Sequence, residues 1–270
     1  MPITRVYDTK TWLAVIEFQK VAFPRFMEEW DGRVGRKTIA EMDNWLYRPR
    51  PLIMDPPETK GILVFIGGWT DEQHGGGGED ISMQSIGDVG YLMFGPMKSM
   101  QDPPKRIFEG YSGSLTNERG PNLAIDFITR NYNPRCKLVM YGFSAGGKQV
   151  LDLRRKIEHR NTVRPDEGNS LIKVDVLVTV DAAARKVTLG VNREVAGCVV
   201  LNRNYYQQVQ GNLSNGAPNS VQTSAVTGRT PIRQPIDMTA TMRAINIHAH
   251  REIEKASLSF AWADIRAALG

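Results

Sequence analysis

The sequence predicts an α/β fold: a mainly parallel sheet with helices on both faces, preceded by a small N-terminal helical module. Three observations carry that expectation. Short continuous apolar runs of strand length alternate with stretches whose apolar residues recur at three- and four-residue spacing. Those runs are largely apolar without strict alternation, as strands covered on both faces are. A proline-rich stretch separates residues 1–48 from residues 61–270, where the alternation begins.

In residues 1–48, Trp12, Leu13, Val15, Ile16 and Phe18 fall on a helix broken at Pro24. The turn Asp31-Gly32-Arg33-Val34-Gly35 opens a second predicted helix from Thr38 to Leu46, with Ile39, Met42, Trp45 and Leu46 at helical spacing. The glycines suit a turn that needs positive φ, and Thr38 can cap the first turn. Residues 49–60 form the linker. Four prolines between Tyr47 and Pro57 favour extended backbone and exclude a regular helix.

From residue 61 the candidate strands are Ile62–Ile66, Val89–Phe94, Lys137–Tyr141, Val174–Val180, Cys198–Leu201 and Ala244–Ala249. The candidate helices are Glu118–Asn131, Gly147–His159 and Ile253–Leu269. Residues 205–241 are polar and rich in Gly, Asn, Ser, Thr and Gln. A loop of that length either walls a pocket or is disordered, and the sequence leaves both open.

At 270 residues, with 41% hydrophobic and 23% charged residues, the chain has the composition of an ordinary globular protein with a sizeable core. No apolar run approaches the roughly 20 residues of a membrane span, so no transmembrane segment is expected. The start, Met1-Pro2-Ile3-Thr4-Arg5, lacks the apolar core of a signal peptide, so synthesis in the cytoplasm is expected. Cys136 and Cys198 lie beside or in predicted strands and have no Cys or His at chelating spacing; they read as reduced core residues, not metal ligands. A net charge of +5 favours anionic partners such as phospholipid surfaces, wall polymers or nucleic acid. Nucleic acid is the least supported of these, because no basic stripe with interleaved aromatics is present.

The chemistry concentrates on Tyr141-Gly142-Phe143-Ser144-Ala145-Gly146-Gly147, which follows the apolar run Lys137–Met140 and precedes helical spacing at Val150, Leu151, Leu153 and Ile157. Gly-x-Ser-x-Gly on a strand-to-helix turn is the pattern of a nucleophile elbow: a strained turn holds the serine hydroxyl above the strand ends. The pentapeptide alone carries little; its place between strand and helix carries the reading. The same residues nearly fit the phosphate-binding loop Gly-x4-Gly-Lys-Ser/Thr, with Val176–Asp181 as an apolar strand ending in an acid. Gln149 stands there in place of the hydroxyl that holds magnesium, so the serine nucleophile is preferred.

Two further predicted strand ends complete a site. Asp181 ends the apolar run Val174–Val180, where a carboxylate is costly without a partner such as an imidazole N–H; a turn-capping aspartate is the other reading. The run Ala244–Ala249 leads to His250, with His248 at the same strand parity, so alternation does not separate the two. His250 is chosen as the residue nearest the loop. The chain order Ser144, Asp181, His250 is serine, acid, histidine. Gly67-Gly68-Trp69-Thr70, after Ile62–Ile66, offers backbone N–H groups of Gly68 and Trp69, together with that of Ala145, for an oxyanion hole. His74 with Gly75–Gly78 reads as a mobile loop beside the site, and His159 lies on a solvated basic face. No cofactor and no metal are expected.

Residues 61–270 resemble the α/β-hydrolase superfamily, and among its members bacterial lipase-like proteins, including lipase effectors of the type VI secretion system. The resemblance rests on Tyr141–Gly147, on Leu177-Val178-Thr179-Val180-Asp181, on His250-Arg251-Glu252-Ile253-Glu254 and on Asn204-Tyr205-Tyr206-Gln207. It implies Ser144 as nucleophile, Asp181 as acid and His250 as base. Glu254, where aspartate is usual, and Ala182-Ala183, where Pro-Val is common, depart from the pattern.

Val15–Lys20 followed by Trp30-Asp31-Gly32 and Gly35-Arg36-Lys37-Thr38 is similar to the peptidoglycan-binding repeat of bacterial and phage wall enzymes. The segment is short, and Arg36 replaces a common proline; a helical appendage packed on the main domain is the alternative.

Together the resemblances imply a serine esterase or lipase acting on an envelope lipid or wall ester. They imply delivery by a specialised secretion system or phage lysis, with peptidoglycan and a secretion or immunity protein as partners. The rival from another class is an inactive wall-binding scaffold.

Overall fold

A computed structural model describes residues 9–22, 32–36, 38–39, 59–69, 92–113, 119–163, 171–183, 190–209, 216–245 and 249–270. The chain divides into two compact units, Met1–Asp55 and Pro56–Gly270. The predicted linker lies outside the described residues apart from Thr59 and Lys60, as does most of the predicted helix Thr38–Leu46.

In the first unit, helix α1 (Thr9–Ala22) buries Val15 and Gln19, one turn apart. A buried amide is tolerated only when its hydrogen-bonding groups are used. Gln19 Oε1 accepts from the Gly32 N–H at 2.8 Å, and Nε2 donates to Arg33 O at 3.0 Å and Thr38 Oγ1 at 3.2 Å. One glutamine thus ties the turn at Gly32–Arg33 and the helical residue Thr38 to α1. Gly32 has φ +69°, and a Cβ there would lie 2.2 Å from the Trp12 ring, so the position demands glycine twice over.

The second unit is α/β. Its six-stranded sheet consists of β1 (Gly61–Trp69), β2 (Arg106–Gly113), β3 (Lys137–Phe143), β4 (Val174–Val180), β6 (Val199–Tyr206) and β8 (Ile232–Asp237), with every pairing parallel. The spatial order is β2-β1-β3-β4-β6-β8; β5 (Glu194–Val195) and β7 (Ser220–Val221) form a separate parallel pair. Among the described residues five helices accompany the sheet: α2 (Phe94–Ser99), α3 (Arg119–Asn131), α4 (Ala145–Val163), α5 (Thr239–Ile245) and α6 (Ala249–Leu269).

Two apolar cores result, because successive strand residues face opposite sides. Ile62, Val64, Ile66, Leu138 and Met140 join Ala124 and Ile128 of α3 and Val150, Leu153 and Ile157 of α4 on one face. Leu63, Phe65, Val139, Tyr141 and Val178 join Met97 of α2, Met242 of α5 and Ile253, Ala261 and Ile265 of α6 on the other. Cys136 and Cys198 are free thiols buried in the first core. Among the described residues no helix is long and apolar enough to cross a membrane.

From β1 the chain steps outward to β2, returns across β1 to β3, and then runs steadily out to β8. The reversal leaves a crevice between the carboxyl ends of β1 and β3, where ligands of open parallel sheets bind. The site described below lies beside it.

The sequence misplaces several elements. Val89–Phe94 is not a strand in its described part: Leu92 and Met93 form a turn and Phe94 opens α2. Pro96, at the third position of that helix, lacks only an N–H that the first turn leaves unpaired. The described residues of Ala244–Ala249 are not in a strand either. Ala244 and Ile245 close α5 and Ala249 opens α6, while 246–248, including His248, lie outside the described residues. The last strand is β8, in the stretch read as a long loop, and β2 was likewise unanticipated. Both are edge strands. An edge strand needs little apolar character, and it accommodates Pro235 without a ladder N–H.

Candidate active site

Two neighbouring strands end in the same manner. Ser144 follows β3 and Asp181 follows β4, with Phe143 and Val180 paired in register, and both residues have positive φ, +55° and +43°. Left-handed backbone at two non-glycine residues costs of order 1 kcal/mol each and persists only where surrounding structure imposes it. Here the Ser144 N–H donates to Val180 O at 2.9 Å, the Ala183 N–H to Ser144 O at 2.9 Å, and the Asp181 N–H to Tyr205 O at 2.7 Å. Each turn is therefore bonded to the neighbouring strand.

The glycines around Ser144 are dictated by space. A Cβ on Gly142 would lie 2.3 Å from Gly146 O, and one on Gly146 would lie 2.0 Å from Ile66 O and 2.2 Å from Gly67 O. Helix α4 starts in direct backbone contact with β1 and β3, which only glycine allows. At that contact β1 is irregular: Ile66 pairs with Tyr111 but Trp69 with Gly113, so one extra residue bulges out around Gly67-Gly68. Bulges re-aim the backbone and are frequent beside active sites. Gly68 and Ala145 are buried; Trp69 closes β1 opposite Gly113. Thr70 and His74 lie outside the described residues, and His159 is exposed on α4.

The third component comes from a helix. His250 is the second residue of α6, its ring stacked on Phe143 with centroids 5.2 Å apart and planes 23° apart. Its Nε2 lies 2.7 Å from Ser144 Oγ, and its Nδ1 lies 2.8 Å from Asp181 Oδ2. Asp181 is fully buried and the imidazole largely so. Ser144, His250 and Asp181 thus form one continuous hydrogen-bonded line, drawn from residues 69 and 106 positions from the histidine. With Nδ1–H donating to the carboxylate, Nε2 is left as acceptor for the serine hydroxyl, the tautomer a general base needs.

One turn along α6 from His250, Glu254 anchors the helix. Glu254 is buried, and its Oε1 accepts from Tyr141 Oη at 3.2 Å and from the Met93 N–H at 3.5 Å. Tyr141 stacks on Phe65, with centroids 5.4 Å apart. The helix that carries the histidine is thereby tied to the strand that carries the serine. Burial raises the Glu254 carboxyl above its ordinary range, while the donors from Met93 and Tyr141 pull the other way. A folded-state value raised above the unfolded one means a contribution complete below the unfolded value and lost as pH rises through the folded one. Glu254→Gln keeps an acceptor for both donors. It is expected to raise the thermal midpoint by a few degrees at about pH 7.5 and leave it nearly unchanged at about pH 4. An equal shift at both pH values would contradict a buried, charge-penalised carboxylate.

Around Asp181 lie two groups to which sequence reasoning assigned no role. Gln207 Nε2 donates to Asp181 Oδ2 at 3.0 Å. Arg193 donates to Ala182 O at 2.9 Å and Ala217 O at 3.1 Å; burial lowers its pKa and the nearby Asp181 charge raises it. Polar residues at the buried positions Asn202 and Asn204 of β6 were the available signal.

The lysine of the alternative phosphate-loop reading, Lys148, is directed along its own helix: Nζ lies 2.5 Å from Asp152 Oδ2, one turn on.

A comparison with known protein families finds no family model that matches this chain, and a comparison with characterised proteins finds no significant match.

Proposed function

We propose that the Pro56–Gly270 unit is an α/β-hydrolase domain and that it hydrolyses carboxylic esters through an acyl-enzyme. The observation that carries this reading is the line from Ser144 Oγ through His250 to the buried Asp181, at 2.7 and 2.8 Å. The positive φ of Ser144 supports it further, because that conformation projects a nucleophile above the strand ends.

In the proposed mechanism His250 Nε2 takes the hydroxyl proton as Ser144 Oγ attacks the ester carbonyl. Asp181 holds the imidazole in orientation and stabilises its cation. Backbone N–H groups of Gly68 and Ala145, with Trp69 at the edge of the bulge, bear on the oxyanion of the tetrahedral intermediate. Losing one such donor typically costs about 10²- to 10³-fold in rate. The proton then passes to the leaving alkoxide, the acyl-serine remains, and a water activated by the same imidazole releases the acid.

For the substrate we favour an envelope lipid ester, with cell-wall acyl esters second. The chain's excess of basic residues suits an anionic surface. The cluster of Gln19, Gly32 and Thr38 supports reading the first unit as a peptidoglycan-binding-like module, because these are positions on which that resemblance rests. Delivery would be by a specialised secretion system or phage lysis, with a secretion or immunity protein as partner.

The test is hydrolysis of a short-chain nitrophenyl ester with Ser144→Ala as control, together with labelling by a fluorophosphonate probe. Turnover and labelling that both depend on Ser144 are expected. Wild-type turnover no better than that of Ser144→Ala, with no labelling, would favour a scaffold without chemistry. Lipid analysis of envelope treated with active and probe-inactivated enzyme then identifies the ester.

A further inference from the structure

We propose that Gln207 is a positioning residue for the acid of this site: its side-chain amide fixes the Asp181 carboxylate and, through it, the His250 imidazole. The inference rests on the serine hydrolase reading above and adds to it a residue placed behind the reacting groups.

The geometry is specific. Gln207 Nε2 and His250 Nδ1 meet the same oxygen, Asp181 Oδ2, at 3.0 and 2.8 Å. The sense of the amide is set independently, because the Val209 N–H points at Gln207 Oε1 at 2.7 Å. A flipped amide would oppose donor to donor there, so the NH₂ group must face the carboxylate. Gln207 and Asp181 are both fully buried, where an amide is costly unless its polar atoms are used.

The amide itself stands on a rigid base. Behind the acid, Asn204 and Asn219 both donate to Thr179 Oγ1 at 3.0 Å, Asn219 donates to Asn202 Oδ1 at 3.1 Å, and the Asn219 N–H donates to Asn204 Oδ1 at 2.9 Å. All four residues have no exposed surface. They join β4, β6 and the segment before β7 into one polar layer. Gly216 closes that layer: a Cβ there would lie 2.2 Å from Gln207 O and 2.8 Å from Asp181 Oδ1.

The chemical consequence has a definite sign. Each donor on Oδ2 resists rotation of the carboxylate, so the Gln207 amide adds to the restraint that the imidazole supplies. That donor also withdraws charge from Oδ2, which weakens the pull of Asp181 on an imidazolium. Removing it therefore lowers rate through misorientation and strengthens the pull of Asp181 on the imidazolium, moving the acidic limb of kcat/KM to higher pH. Gln207→Glu places a carboxyl beside the buried Asp181 carboxylate; two carboxyls so close share one proton, so a donor to Oδ2 is kept and the limb stays near its wild-type place.

The experiment compares wild type, Gln207→Met, Gln207→Glu and Ser144→Ala on the nitrophenyl ester across pH. It also records the downfield proton resonance of His250 Nδ1–H, assigned by its absence in His250→Ala. Expected for Gln207→Met is a kcat about tenfold lower, a fraction of the 10²- to 10⁴-fold that a positioned base contributes. KM should be unchanged, the acidic limb shifted upward and the resonance displaced, with limb and rate largely restored in Gln207→Glu. A Gln207→Met enzyme with wild-type kcat, pH profile and resonance, beside an inactive Ser144→Ala, would overturn the inference and leave the hydrolase reading standing. A loss of rate in proportion to lost folded protein, with limb and resonance unmoved, would also overturn it. Wild type no better than Ser144→Ala overturns the hydrolase reading instead. The resonance then still decides whether Gln207 positions the pair, by moving or staying in folded Gln207→Met.

Discussion

Replacing His250 by alanine is expected to lower kcat for ester hydrolysis by roughly 10⁴- to 10⁶-fold while KM stays within a few-fold, and Ser144→Ala should do the same. The basis is the single hydrogen-bonded line in which the imidazole lies 2.7 Å from the hydroxyl and 2.8 Å from the carboxylate. Groups that act as one unit are not additive, so the double variant should lose little more than either single one. Asp181→Asn should cost about 10⁴-fold, by presenting the imidazole with an amide and favouring the wrong tautomer. Steady-state kinetics with active-site titration checks all four. A His250→Ala enzyme retaining a tenth of wild-type kcat would remove the imidazole from the mechanism.

The same position carries a cost in stability. Ser144 holds φ +55°, which glycine adopts without penalty. Inactive Ser144→Gly should therefore be more resistant to denaturant than inactive Ser144→Ala, by about 1 kcal/mol.

Gly146→Ala is expected to prevent the second unit from folding. Its methyl carbon would lie 2.0 Å from Ile66 O, 2.2 Å from Gly67 O and 2.5 Å from Ile66 C. These are backbone atoms of β1, held between β2 and β3, so they cannot yield as the end of a flexible side chain does. Ordinary overpacking costs about 1–3 kcal/mol. Displacing the start of α4 from the sheet should cost more, a large share of the about 5–15 kcal/mol of a typical domain. Gly95→Ala is the control: a Cβ there meets nothing within 4 Å, and alanine suits the helix, so stability should be unchanged or slightly raised. Soluble yield and denaturant midpoints measure both. A Gly146→Ala midpoint within about 1 kcal/mol of wild type would mean that α4 does not start against β1.

Much of this was legible in the sequence because the signals are local. Val174–Val180 is buried throughout, and a run so largely apolar reads as a central parallel strand. The segment Tyr141–Gly147 announces its turn through glycines that leave no room for a Cβ, and the serine they surround stands at the end of the strand before it. Asp181 was legible as a carboxylate set at the end of a mainly apolar run.

Other features carried no local mark. The edge strands β2 and β8 have weak apolar patterns because one side of an edge strand needs no partner, so their place in the sheet follows from neighbours far along the chain. His250 was singled out as following an expected strand, Ala244–Ala249, whose described residues are helical. It stands at the start of α6, held there by Phe143 and by the attachment of Glu254 to Tyr141 and Met93. Gln207 belonged to a motif with no assigned role until folding placed its amide on Asp181.

By itself the sequence determined the parallel α/β architecture and the residue types gathered at its strand ends, since burial, periodicity and turn chemistry act between residues close in the chain. The tertiary structure alone decided which helix supplies the imidazole, which buried amide and which partly buried guanidinium flank the carboxylate, and which polar strands close the sheet. Those outcomes depend on contacts between distant segments, whose energies are set by packing and leave no pattern in the neighbouring residues.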